Sequence, residues 1–154
     1  MITENTMIFR LVLSVLLGGL IGFERQMHRR TAGLRTNILV CLGSCLIMIL
    51  SQYIFDIYRD VVPVDPSRIA ASIITGIGFL GAGAIIRERD KEAVRGLTTA
   101  ACLWVVAAIG MAAGCGFYSA ALVTTVFTLI VLFVLRHVES MLFTKQQGGT
   151  GGGD

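Results

Sequence analysis

Residues 97–135 read LTTAACLWVVAAIGMAAGCGFYSAALVTTVFTLIVLFVL, 39 positions without an Asp, Glu, Lys or Arg. An α-helix rises about 1.5 Å per residue and the bilayer's hydrocarbon core is about 30 Å thick, so about 20 apolar residues cross it. The run is twice that length, and Gly114-Cys115-Gly116 interrupts it near its middle. It predicts two transmembrane helices, 97–113 and 117–135, joined by a tight turn.

The rest of the 154-residue chain follows the same pattern. Hydrophobic residues make up 55% and charged residues 15%, against roughly a quarter charged in ordinary globular domains. Mean hydropathy is +0.77. The charges gather at 24–35, 56–68 and 87–95, and Thr36–Phe55 and Ile69–Ile86 carry none. Met7–Phe23 holds only Arg10, whose long stem is expected to reach the headgroups. A secretory signal peptide here would need an A-x-A-like cleavage site, whereas the run ends in GFERQ. The expected fold is therefore all-α. It is a polytopic membrane bundle of five helices (7–23, 36–55, 69–86, 97–113, 117–135) in one domain over 1–143. A glycine-rich flexible tail, 144–154, follows.

Basic residues set the expected orientation. The 24–35 loop, the 87–95 loop and the C-terminal end together hold ten Lys and Arg, and the other side holds Arg10, Arg59 and Arg68. This bias places the N-terminus outside and the C-terminus in the cytosol. It also accounts for the net charge of +3, and no basic patch interleaved with aromatics points to nucleic acid.

Within 75–83, TGIGFLGAG, the residues Gly76, Gly78 and Gly81 spell the dinucleotide-binding pattern G-x-G-x-x-G. That site needs an acid some 20 residues on to hold the ribose. Here 99–101 read Thr-Ala-Ala, and after Glu92 the next acid is Glu139. The glycines also lie inside an apolar span, where small residues let neighbouring helices approach closely. Gly18, Gly22, Gly76, Gly78, Gly81 and Gly83 are accordingly read as packing positions, within one subunit or between copies. A broken third helix is the lesser alternative.

Cys41, Cys45, Cys102 and Cys115 all fall within or beside apolar spans and read as small packing residues. No Ser/His/Asp arrangement, G-x-S-x-G or H-E-x-x-H occurs. No enzyme activity, cofactor or metal site is expected. The five apolar runs hold no carboxylate, so the sequence argues against a self-sufficient carrier of divalent cations. Only Ser44, Ser72, Thr75, Thr98 and Thr99 offer polar groups to a transport path.

The boundary charges carry the functional expectation. Glu24, Arg25, Arg35 and Arg95 each abut a helix rich in glycine or alanine. They are expected to form an ion-pair network across the cytoplasmic helix ends, offering a site for an anion or a partner. On the outer side, Asp65 before Pro66 reads as a helix cap that pairs with Arg68.

GGLIGFERQ at 18–26, TAGLRTNILVCLGS at 31–44, SRIAASIITGIGFLGAGAIIRE at 67–88 and VRGLTTAACLW at 94–104 together resemble the N-terminal membrane domain of the MgtC/SapB family. The match runs from about Leu17 to about Gly116. The family's motif positions fall here on Gly22, Glu24 and Arg25; on Gly33, Leu34, Arg35 and Thr36; on Arg68; on Gly76, Gly78, Gly81 and Gly83; and on Arg95 and Gly96. Two features depart from it: Thr98 stands where MgtC-type members often carry Asn, and the loop RERDKEAV is slightly longer. The resemblance implies a multi-pass protein of the bacterial cytoplasmic membrane in magnesium homeostasis, stress adaptation and virulence-related survival. It implies a regulator of other membrane machinery, such as the ATP synthase or a transporter. Homo-oligomerisation is expected from the glycine faces. The competing expectation is a transporter or channel for Mg²⁺ or another small solute.

Overall fold

A computed structural model describes residues 2–61, 63, 65, 67–87 and 94–135. Pro66, the 88–93 loop, Arg136, His137 and the 144–154 tail lie outside the described residues. Helix α1 spans Glu4–Met27, α2 Leu34–Tyr58, α3 Ser67–Ala84, α4 Leu97–Cys115 and α5 Tyr118–Ile130, which continues as a π-helical turn over Val131–Leu135. All five are long and apolar enough to cross a membrane, α5 together with its π-helical turn.

Helix α1 outlasts its apolar run at both ends, because peptide hydrogen bonds continue wherever the chain stays regular, in lipid or in headgroups. Thr3 caps its start in extended conformation, its hydroxyl oxygen accepting from the Thr6 N–H at 3.4 Å. Helix α3 stops at Ala84, two residues short of the apolar run. Ile86–Arg87 (β1) instead pair antiparallel with Val94–Arg95 (β2), Ile86 opposite Arg95. Gly96 makes this return feasible. Its φ of +95° is a region side chains rarely adopt, and a Cβ there would meet the Ala84 carbonyl oxygen. At the other end of α4, Gly116 has φ +83° and donates its N–H to the Ala112 and Ala113 carbonyls, closing the helix.

Helix α4 is central: half of its span is buried, against 17% for α3 and 11% for α5. Glycine contacts explain the close approach of its neighbours. A Cβ on Gly18 of α1 would stand 2.7 Å from Cys41 Cβ, and one on Gly22 would stand 2.8 Å from Leu34 Cα. Farther along the same face of α2, a Cβ on Gly110 of α4 would meet the Cys41 carbonyl oxygen, and one on Gly114 would lie 2.6 Å from the Cys45 carbonyl oxygen. One face of α2 thus receives two G-x-x-x-G pairs, from α1 and from α4, the packing device membrane helices use in place of a hydrophobic drive. The second pair, in Gly110-Met-Ala-Ala-Gly114, was not anticipated from the sequence.

The glycines of α3 behave differently. Gly81 makes an ordinary contact with Ala100 Cβ at 3.6 Å, whereas Gly76, Gly78 and Gly83 have open space where a Cβ would stand. Within the described chain these three do not serve close helix packing, which corrects one half of the expectation for them.

Candidate functional site

The helix contacts that build the bundle also turn one charged residue inward. Ile21, Gly22 and Arg25 lie on one face of α1 at i, i+1 and i+4, all three buried. Arg25 is only 4% exposed. Its Nη2 donates to Thr99 Oγ1 in the first turn of α4 at 3.4 Å, and its Nη1 lies 3.9 Å from Glu24 Oε2. Its Nε is buried with no hydrogen-bond partner among the described residues. Glu24, 11% exposed, also holds His28 one turn on, with Oε1 2.9 Å from Nδ1.

From the other side the site is closed by α2. Asn37, fully buried, donates through Nδ2 to the carbonyls of Ala32 at 3.0 Å and Gly33 at 2.8 Å, fixing the α1–α2 turn. Its Oδ1 faces Cys102 Sγ of α4 at 4.0 Å. Arg25, Asn37, Thr99 and Cys102 therefore form a buried polar cluster where the ends of α1, α2 and α4 meet, with Glu24 and the half-buried His28 at its edge. A guanidinium placed against the N-terminal turn of α4 opposes that helix's positive dipole end. Such a site calls for a carboxylate, and among the described residues Glu24 supplies it.

Of the residues expected to form this network, Glu24 and Arg25 are adjacent and inward-facing. Arg35 is exposed and lines the groove between α2 and α3. Arg95 is exposed on β2, directly before Gly96. Asn37, Thr99, His28 and Cys102 were not foreseen as members. Asn37 had a readable signal: an amide inside an apolar run, three residues past the 31–34 turn.

At the opposite end of the bundle, Arg10 does not reach for headgroups. Its Nη1 donates to Gln52 Oε1 at 2.8 Å and to the Gly114 carbonyl at 2.6 Å, and its Nε to the Tyr118 hydroxyl at 3.2 Å. Gln52 Nε2 in turn donates to the Cys115 carbonyl at 3.2 Å. Arg10 thereby links α1, α2, α4 and α5, and the orphan carbonyls at the α4 end reward it for staying inside. Phe9 and Tyr118 pack edge to face beside it at 5.4 Å.

Asp65 accepts from the Ser67 N–H at 2.8 Å and from the Ser67 hydroxyl at 2.6 Å, at the start of α3. These bonds, with the Arg68 charge as a smaller cause, hold its carboxyl below the usual range. Among the described residues no group of three His, Cys, Asp or Glu is placed to hold a metal ion.

A profile of the MgtC family matches residues 11–141. YhiD of Escherichia coli K12, provisionally named a magnesium transporter, is 49% identical over 140 residues, covering 90% of this chain and 64% of that protein. Protein MgtC of Brucella abortus is 48% identical over 127 residues, 82% of this chain and 50% of the relative. Protein MgtC of Salmonella typhimurium is 46% identical over 135 residues, 88% and 54% of the two chains. The chain spans about half to two thirds of the length of these curated relatives. No solved structure matches it.

Proposed function

The chain belongs to the MgtC family, and from that premise we propose that it serves magnesium homeostasis and stress adaptation by binding and regulating other membrane machinery. The ten-to-three bias of basic residues supports a cytosolic C-terminus in a bacterial cytoplasmic membrane. One observation carries the regulatory reading: the buried Arg25 is fixed between Glu24 and Thr99 at the helix ends. The carboxylates of the described helices likewise sit at ends, Glu4 in the first turn of α1, Glu24 near its last and Asp56 in the last turn of α2. This arrangement supports a rigid charged platform for a partner, such as the ATP synthase or a transporter, better than a series of cation ligands across the span. No catalytic role is proposed. Self-association through the bare side of α3 at Gly78 is part of the same reading.

A second reading, Mg²⁺ transport by the chain itself, draws on the name given to the E. coli relative. The test is growth at limiting magnesium in a host lacking its own MgtC-family gene. The wild-type chain should restore growth. Glu24→Gln and Thr99→Val, present in the membrane at wild-type abundance, should not. Full rescue by both variants would remove the cluster from the function.

A further inference from the structure

Helices α2 and α3 enclose a groove of about 590 Å³. Its floor is bare, since Gly43 of α2 and Gly76 of α3 both have nothing within 4 Å of a notional Cβ. Its walls are mainly aliphatic, with Leu39, Ile47 and Ile73 among them beside Ser44 and Ser72, and among the described residues its one charged member is Arg35 at the first turn of α2, beside Thr36. Ile47 stands twelve residues beyond Arg35, about 18 Å along the helix. That is about the depth of one leaflet of a ~30 Å hydrocarbon core.

We propose that this groove binds one anionic phospholipid from the leaflet at the Arg35 end. An acyl chain lies over Gly43 and Gly76. The phosphate meets the Arg35 guanidinium and the Thr36 hydroxyl, with the N-terminal dipole of α2 aiding it. Charge and length both favour a lipid over a second copy of the chain. A two-fold contact through this face sets Arg35 of one copy at the level of Arg35 of the other, an unmatched pair of cations. A whole helix also needs a full-span groove, whereas this one follows α2 for about half of its 25 residues.

Native mass spectrometry of the full chain in detergent tests this, with dioleoylphosphatidylglycerol and dioleoylphosphatidylcholine titrated separately. One phosphatidylglycerol per chain should be retained, with about fivefold preference over phosphatidylcholine, the effect of a single basic residue at a membrane surface. Arg35→Ala, at an exposed position, should bring the two lipids to parity without changing the unfolding temperature. Gly76→Leu, which fills the floor, should lower retention of both. Equal affinity for the two headgroups in the wild type would overturn the proposal. So would unchanged retention in Gly76→Leu, or a dimer that forms in place of the lipid adduct.

Discussion

Arg25 Nη2 and Thr99 Oγ1 lie 3.4 Å apart, joining the last turns of α1 to the first turn of α4 across 74 residues of sequence. Both side chains are buried, at 4% exposure each. The contact is where the glycine packing of α1 on α2 and the start of α4 come together, so its loss should be felt in stability and function at once.

Replacing Arg25 by Ala leaves Glu24 inside without its neighbouring cation. Glu24 keeps His28 at 2.9 Å, so the loss is that of the charge-assisted Arg25 contacts, about 1.5–3 kcal/mol, in unfolding measured in a lipid nanodisc. Thr99→Val removes one hydrogen bond and should cost about 1 kcal/mol. Equal, small effects for the two variants would mean that Arg25 reaches water after all.

The two glycine pairs packed on α2 predict a split among conservative substitutions. Gly110→Ala and Gly18→Ala push a methyl into the α2 backbone or Cys41 and should destabilise by about 1–3 kcal/mol. Gly43→Ala and Gly78→Ala enter open space within a helix and should leave the unfolding midpoint of the isolated chain unchanged or raise it. A reversed order would sink the assignment of these glycines to close packing on α2.

At the far end, Tyr118→Phe removes one of the Arg10 bonds and Arg10→Met removes all of them. Side-chain hydrogen bonds between membrane helices average about 0.6 kcal/mol. The tyrosine change should therefore be barely measurable. Arg10→Met should cost several times more, and a double-mutant cycle with Gln52→Leu should show coupling.

Asp65 gives the pH prediction. Its carboxyl is held low by the Ser67 N–H and hydroxyl, so the cap contributes stability above the ordinary carboxylate range and loses it as pH falls through the lowered value. Ser67→Ala should move the Asp65 titration upward, as read by carboxyl-carbon NMR. An unchanged midpoint would show that the serine hydroxyl does not hold the carboxylate.

Helices α2 to α5 were legible because charge-free runs of 18 or more residues admit one physical solution in a bilayer, and α1 because its 17-residue apolar run holds a single charge, Arg10. Ends were less legible. Ile86 leaves the third helix because the return through Gly96 packs on Ala84, a contact no apolar count encodes. Which boundary arginine turns inward depends on helical phase. Arg25 follows Gly22 by three residues, on the same face, while Arg35 precedes the buried Asn37 by two and so points elsewhere. The tight glycines were harder to rank, because Gly110 and Gly114 sit among alanines that also look suited to packing. Arg10 read as a surface anchor because its acceptors, Gly114 and Gln52, lie far from it in sequence.

Magnesium flux into liposomes tests the central claim most directly. The full chain would be reconstituted with a trapped Mg²⁺ indicator, alongside Arg35→Ala and Glu24→Ala. We expect the wild-type signal to match empty liposomes, which leaves magnesium homeostasis to a regulated partner. Protein-dependent uptake that disappears in both variants would contradict the account and make the charged helix ends part of a transport path.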